Sequence, residues 1–302
     1  MYSTIKRVDK YIAFSNLMPD SERKLSCAVS GGADSMCMLD IMVRLSANYD
    51  FSIEVLHFNH KIRGKESDRD ERFVRDYCRE NNLKLTVSYP NNLLDGSENA
   101  AREARYTFFE KNASIVATAH NSDDNAETMI ANLARGTGGN GLRGIAPKLT
   151  RASGLTVIRP ILCLTRREVM QYLEYSGISH IEDSSNADTR YSRNLIRAAV
   201  MPVLRRINPK IAEHSLAAGK YLAEDEHCLR GLAEAFLHNC GFTVENPKLP
   251  RKEINVLAPA IASRVIMLAA EAFGVSLFRE HIDGALELSR SGKGGLIMTF
   301  PK

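Results

Sequence analysis

The stretch Leu25-Ser26-Cys27-Ala28-Val29-Ser30-Gly31-Gly32-Ala33-Asp34-Ser35-Met36 decides the fold. A short apolar run closes at Ser30, two glycines follow, and a helical pattern opens at Asp34. The glycines let the backbone turn sharply and aim successive N–H groups inward, while the start of a helix adds positive potential. Ser30 and Ser35 add hydroxyl donors. No Gly-Lys-Ser/Thr follows, so this is not the loop that grips phosphate with a lysine. The plain alternative is a Gly-Gly turn with Asp or Ser capping a helix. Six consecutive positions, Ser30, Gly31, Gly32, Ala33, Asp34 and Ser35, placed after an apolar strand, favour a loop that holds a nucleotide by its phosphates.

Working outward, Ser52 to Asn59, Lys84 to Tyr89 and Ser114 to Ala119 read as further strands. Helical patterns fill the gaps, at Asp34 to Leu45, Ser67 to Asn82, Glu98 to Asn112 and Asp123 to Arg135. Strands alternating with helices predict an α/β fold, a doubly wound parallel sheet covered on both faces, with ligands at the carboxyl ends of the strands. Thr137 to Gly144 is dense in glycine and reads as a loop. Thr165 to Ser176 reads as a helix with a capping box of Thr165 and Glu168. After a polar connector from Ile178 to Ser192, Arg193 to Ile207 reads as a helix with Leu195, Ile196, Ala199, Val200, Val203 and Leu204 on one face, kinked by Pro202. Beyond Asn208-Pro209 the pattern is wholly helical. The expected organisation is an α/β domain over residues 1–210 and a smaller all-helical domain over 211–302.

Bulk composition supports a globular protein: 302 residues, 44% hydrophobic and 25% charged. No apolar run approaches the roughly 18 to 20 residues needed to span a bilayer, and Met1 to Lys10 lacks the core of a signal peptide. A cytoplasmic protein without membrane attachment is expected. The six cysteines form no C-x-x-C pair and read as free thiols. Residues 213–302 carry ten basic and eleven acidic side chains, so the net charge of +4 arises in the first part of the chain. Between Thr189 and Ala212 there are six basic residues and no acid. Beside a phosphate loop, such a segment points to an anionic polymer; alone, it would read as a solvated helix face.

Asp124 and Glu127 are spaced i, i+3 and share one helix face. Taken alone they could be charges favoured by the helix N-terminus. His57 ends the second strand, where a half-buried histidine is the plain alternative to a nucleotide contact. Arg135 precedes the glycine loop, where a cation could meet a phosphoryl group. Arg193 and Arg197 are i, i+4, with Arg190 nearby, and guanidinium groups suit phosphate.

The Ser30–Ser35 loop and its setting resemble the PP-loop (N-type) ATP pyrophosphatase family. That resemblance implies cleavage of ATP between its α- and β-phosphates, transfer of AMP to an oxygen, and a place for Asp34 near Mg²⁺ and phosphate or near substrate. Further stretches narrow it: His57-Phe58-Asn59-His60 with Ile62-Arg63-Gly64, His120 leading into Asp123-Asp124 and Glu127-Thr128, Asn132 to Gly136, Arg159-Pro160-Ile161-Leu162, and Asp183 to Asp188 leading to Tyr191, Arg193, Asn194, Ile196 and Arg197. Together, from Ser26 to about Pro209, they resemble the tRNA(Ile)-lysidine synthetases. The resemblance implies a two-step ligase. ATP adenylates the carbonyl oxygen at carbon 2 of the wobble cytosine in tRNA(Ile) with a CAU anticodon. The ε-amine of free L-lysine then displaces AMP to leave lysidine. In these terms Asp34, Asp124, Glu127 and Arg135 are catalytic candidates, and Asp124 and Glu127 bind lysine. Ser30 to Ser35 and His57 bind ATP, with His60 and Arg63 weaker nucleotide-side candidates. Arg190, Arg193, Asn194 and Arg197 bind tRNA. A homodimer is compatible with the resemblance.

The chain departs from the family pattern at Leu195, where another arginine is common, and it is expected to lack the further C-terminal domain of longer members. A 2-thiolation enzyme of the same superfamily is the nearest rival, disfavoured by the missing cysteine pair. An amidotransferase synthetase would need an N-terminal glutaminase domain. An inactive nucleotide- or tRNA-binding relic would be expected to have lost Asp34, Asp124 or Glu127, which are all present.

Overall fold

The structure is a computed structural model that describes residues 1–18, 23–61, 64–90, 98–182 and 192–291. The chain divides into two units, Met1–Gly219 and Lys220–Lys302.

The first unit is built on a six-stranded sheet among the described residues: β1 (Lys24–Ala28), β2 (Ser52–Phe58), β3 (Lys84–Ser88), β4 (Ile115–Ala117), β5 (Lys148–Thr150) and β6 (Thr156–Ile158). Their order is β3-β2-β1-β4-β6-β5. The pairs β1–β2, β2–β3, β1–β4 and β4–β6 are parallel, whereas β5 pairs antiparallel with β6. An antiparallel edge strand therefore completes the sheet, where the sequence predicted only parallel strands. β5 and β6 turn back on each other through Gly154, whose N–H bonds to the Arg151 carbonyl at 2.9 Å.

Alternating side chains show why the sheet is covered on both faces. Cys27, Val55, Ala117 and Ile158 belong to one apolar core, together with Val8 and Ile12 of α1 (Tyr2–Phe14), much of α2 (Ala33–Tyr49), Val74 and Cys78 of α3 (Lys65–Glu80), and Val169, Tyr172 and Leu173 of α7 (Arg166–Ser176). Their strand neighbours Leu56, Val116 and Val157 point the other way, onto Tyr106, Phe108 and Phe109 of α4 (Glu98–Asn112). Helix α1 is anchored by Arg7, which bonds to Glu168 Oε1 at 2.5 Å and the Cys163 carbonyl at 2.6 Å.

The strand order also places the site. From β1 the chain moves one way to β2 and β3, then crosses back to lay β4 on the other side of β1. The loops leaving β1 and β4 therefore diverge at a topological switch point, the usual crevice for a ligand in such sheets. The β4 loop leads into α5 (Ser122–Ala134), and short α6 (Gly139–Leu142) interrupts the glycine-dense loop.

After Glu182 the described chain resumes with α8 (Ser192–Leu195), a π-helical turn (Ile196–Val200) and α9 (Met201–Ile207). The sequence predicted one α-helical face here, and the π turn changes it. Met201 N–H bonds to the carbonyl of Ile196, five residues back. Pro202 has no N–H for an α-helical bond to Ala198, and the wider turn accommodates that loss. Ile196 and Met201 become the buried pair, while Leu195, Val200 and Val203 of the expected face are exposed.

The second unit is helical. Its core gathers Ala233 of α10 (Ile211–Asn239), Ile254 of α11 (Arg251–Ile254), Val265 and Leu268 of α12 (Pro259–Glu271), and Ile282 and Leu286 of α13 (Arg279–Arg290). Arg264 pairs with the buried Glu226. No helix among the described residues is long and apolar enough to cross a membrane.

Candidate functional site

The glycine loop is rigid for a local reason. Ser35 Oγ donates to the Gly32 carbonyl at 2.8 Å and accepts from the Ser30 N–H at 3.2 Å. Ser30 Oγ accepts from the Gly32 N–H at 3.3 Å. The two hydroxyls expected to face a phosphate thus brace the turn from within. Gly31 stands at φ +91, a conformation that strains any residue with a side chain. A Cβ there would lie 2.7 Å from Ile181 Cδ1, because the Ile181 N–H bonds to the Gly31 carbonyl at 2.9 Å. Gly32 is the N-cap of α2 and supplies no side-chain acceptor. The first-turn N–H groups of a 17-residue helix are therefore left to another acceptor, an arrangement that suits an anion.

Asp34, on that first turn, accepts from Asn121 Nδ2 at 2.9 Å and from the Arg166 guanidinium. Burial pushes its carboxyl above the ordinary range, against the pull of Arg166 and Asn121 and with the help of Asp124.

Asn121 also begins α5. Its Oδ1 accepts the Asp124 N–H at 3.0 Å, and its own N–H donates to Asp124 Oδ2 at 3.0 Å, a complete capping box. The cap turns Asp124 and Glu127 to one side, where Arg193 and Arg197 meet them. Arg193 bonds to Asp124 at 2.9 Å and to Glu127 at 3.2 Å. Arg197 bonds to Glu127 at 2.7 and 3.0 Å and to Asp124 at 3.1 Å. The Glu127 side chain is 1% exposed, whereas those of the two arginines are 39% and 41% exposed. The carboxylates expected for an amine and two of the arginines expected for RNA thus form one charge cluster. Hydrogen bonds to Glu127, opposed by burial, hold the Arg197 guanidinium above its ordinary pKa.

Asp123 points elsewhere. Its carboxylate accepts from the Arg166 N–H and from Arg205, each at 2.6 Å, so it ties α5 to α7 and α9. His57 lies buried on the α3 face of the sheet, with Nδ1 2.8 Å from the Val29 carbonyl and Nε2 without a partner among the described residues. Burial pushes its pKa down. Arg135 caps the far end of α5, about 16 Å along the axis from Asp124, and its guanidinium donates to Asn132 Oδ1 at 3.5 Å. Asn194 is half-buried on α8. Arg63, Arg190 and the stretch from Asp183 to Tyr191 lie outside the described residues.

Sequence reasoning missed Asn121 and Arg166, which hold Asp34, and two of the arginines around His120, Arg102 and Arg105. The His120 pKa is pushed down to about 3 by burial and by Arg159, Arg193, Arg102 and Arg105. A neutral imidazole ringed by guanidinium groups makes that side of the crevice attractive to anions. The i, i+3 spacing of Arg102 and Arg105 on α4 was the available signal.

Residues 4–204 match the family model described as the PP-loop domain. The chain is 39% identical over 229 residues to a tRNA(Ile)-lysidine synthase of Bacteroides thetaiotaomicron, covering 72% of this chain and 51% of that protein. It is 32% identical over 291 residues to one of Bacillus subtilis, covering 91% and 61%. It is 31% identical to one of Symbiobacterium thermophilum, covering 99% and 66%. The chain spans about half to two thirds of the length of these curated relatives. Among solved structures, the U34-tRNA thiolase NcsA of Methanococcus maripaludis with its [4Fe-4S] cluster aligns with a TM-score of 0.60 at 17% identity, covering 74% of this chain and 79% of that one; the likeness is one of fold.

Proposed function

The chain belongs to the PP-loop domain family, and from that premise we propose that it is an ATP-dependent tRNA(Ile)-lysidine synthetase. In the first step the carbonyl oxygen at carbon 2 of the wobble cytosine attacks the α-phosphorus of ATP. The bond to the β-phosphate breaks and pyrophosphate leaves. In the second step the ε-amine of L-lysine attacks carbon 2, the bond to the adenylate oxygen breaks, AMP leaves and the nitrogen loses a proton.

One observation carries this reading: Asp124, which shares Arg193 and Arg197 with Glu127, is tied through Asn121 to the aspartate of a phosphate-type loop. A cytosine carbonyl needs activation by adenylation, and an ammonium needs carboxylates to seat it and take its proton. The uncapped first turn of α2 would hold phosphate oxygens, and the arginines around His120 would draw the polyanion. Arg193 and Arg197 sit where they can trade a carboxylate for a phosphate as tRNA and lysine enter.

Mg²⁺ fits the residues present. Among the described residues no group of three or more His, Cys, Asp or Glu side chains is arranged to hold a metal alone. Asp34 offers one carboxylate at the phosphate end, and Mg²⁺ commonly takes one or two carboxylates together with phosphate oxygens. When bound, the ion would neutralise charge on the departing pyrophosphate.

Sulfur transfer finds less support. Cys27, Cys37, Cys78 and Cys163 are buried in the core. Burial pushes the thiols of Cys27 and Cys163 up to about 12 and that of Cys78 to about 11, far from a nucleophilic thiolate.

Incubation with ATP, labelled lysine and a panel of tRNAs tests the proposal. Lysine should enter only tRNA(Ile) with a CAU anticodon, with AMP and pyrophosphate released. Pyrophosphate release without lysine incorporation would point to another nucleophile.

A further inference from the structure

We propose that Asn121 is a positioning residue that fixes the nucleotide-side carboxylate of Asp34 and the amine-side carboxylate of Asp124 at one spacing, a role that rests on reading the glycine loop as an ATP site. Asn121 is 2% exposed, and both its amide oxygen and its amide nitrogen are engaged. Its oxygen accepts the Asp124 N–H, which fixes the amide orientation and leaves the nitrogen to donate to Asp34 Oδ1 at 2.9 Å. Its own N–H holds the second oxygen of Asp124. Asp34 stands on α2, after β1, and Asp124 on α5, after β4. One side chain therefore bridges the two loops that diverge at the switch point of the sheet.

An ordinary helix cap does not require this second bond. Serine, aspartate and asparagine all cap well, because the cap needs only an acceptor oxygen. The donor that reaches Asp34 is what asparagine adds. Serine at this position would keep the start of α5 and lose the bridge. Aspartate would keep the cap and set a like charge against Asp34. Asp34 would then be left to Arg166 alone, whose guanidinium is free to follow a phosphate.

The test measures binding and catalysis on the whole chain with N121S and N121D. Calorimetric titration with a non-hydrolysable ATP analogue and Mg²⁺ reads the nucleotide side. The KM for lysine at saturating ATP and tRNA reads the amine side, and thermal melting reads the cap. N121S should weaken analogue binding about tenfold, the scale of one hydrogen bond to a charged group, with the KM for lysine within about twofold. Its melting temperature should stay within about 2 °C, since serine caps as well as asparagine. N121D should bind the analogue more weakly still. In a D34N background, N121S should cost little further, because the two changes remove one shared contact. A purely structural cap predicts the opposite: full analogue affinity in N121S, or a loss that adds to D34N and follows the melting temperature. Either result overturns the role. If the native chain binds the analogue and N121S binds it equally, the positioning role alone falls. If the native chain binds no nucleotide, the ATP reading falls and takes this role with it.

Discussion

Arg197 grips Glu127 through both carboxylate oxygens, with Nε 2.7 Å from Oε1 and Nη2 3.0 Å from Oε2. With Arg193 also on Oε2, this bidentate pair takes up most of the acceptor capacity of the acid. Lysine must therefore share Glu127 with Arg197 or displace it. Glu127→Gln keeps the shape and an acceptor for the guanidinium but removes the negative charge and the proton-accepting capacity. We expect adenylation of tRNA to persist and lysine transfer to fall by about 10² to 10⁴-fold, the range for loss of a general base. Separate assays of AMP transfer to tRNA and of lysidine formation check this. Normal lysine transfer by the variant would remove Glu127 from the mechanism.

Gly31 tests the glycine loop without touching a charge. Its φ of +91 strains any residue with a side chain, and a methyl group would push the end of the Ile181 side chain aside. Gly31→Ala should destabilise the first unit by roughly 1–3 kcal/mol through backbone strain and crowding, and should abolish measurable ATP binding by tilting the N–H groups of the turn. Chemical denaturation and nucleotide titration read the two effects. Full ATP affinity in this variant would show that the loop backbone is not the phosphate cradle.

The π turn gives a third test, because such a turn behaves as one residue inserted into an α-helix. Ala199 lies within it and is exposed. The turn already absorbs one extra residue, so inserting a further alanine beside Ala199 should rotate Arg193 and Arg197 by about 100° relative to α9. The Asp124–Glu127 cluster would lose its partners while the segment stays helical. Lysidine formation should fall at least about tenfold, with helical content by circular dichroism preserved, since only side-chain direction changes. Unchanged turnover would show that the guanidinium contacts to Asp124 and Glu127 are dispensable.

These tests also mark what one sequence reveals. The strand at Lys24–Ala28, its glycine turn and α2 were legible because apolar run, turn chemistry and helix start coincide within a dozen residues. β5 was not, since Lys-Leu-Thr carries one apolar residue, and β6 was passed over in the short stretch between Gly154 and Pro160. The helical segment from Arg193 was recognised, but a 3.6-residue template predicts Leu195 and Val203 inside, and the π turn puts them outside. Asp124 and Glu127 could be found from their spacing. Their pairing with Arg193 and Arg197, and the hold of Asn121 and Arg166 on Asp34, join residues far apart in sequence. Only the order of strands brings those residues together.

A last prediction concerns acid stability. Glu71 on α3 accepts from Asn59 Nδ2, Tyr89 Oη and Arg75 Nη2, each at 2.8 Å. Burial alone would raise its pKa, but these hydrogen bonds and Arg75 outweigh it and hold the carboxyl down at about 2. A folded-state pKa below the unfolded value means that the unfolded chain takes up the proton first. The stabilisation is therefore fully present above the unfolded pKa, near 4.5, and is lost as pH falls toward about 2. By linkage the shift corresponds to about 3 kcal/mol at neutral pH as an upper figure. Glu71→Gln should lower stability at pH 7 by roughly 1–3 kcal/mol, because the amide can neither balance Arg75 nor accept at both ends. It should also flatten the fall in stability between about pH 4.5 and 2. Urea denaturation at a series of pH values measures both, and a variant as steeply acid-labile as the native chain would place the titration on another carboxylate.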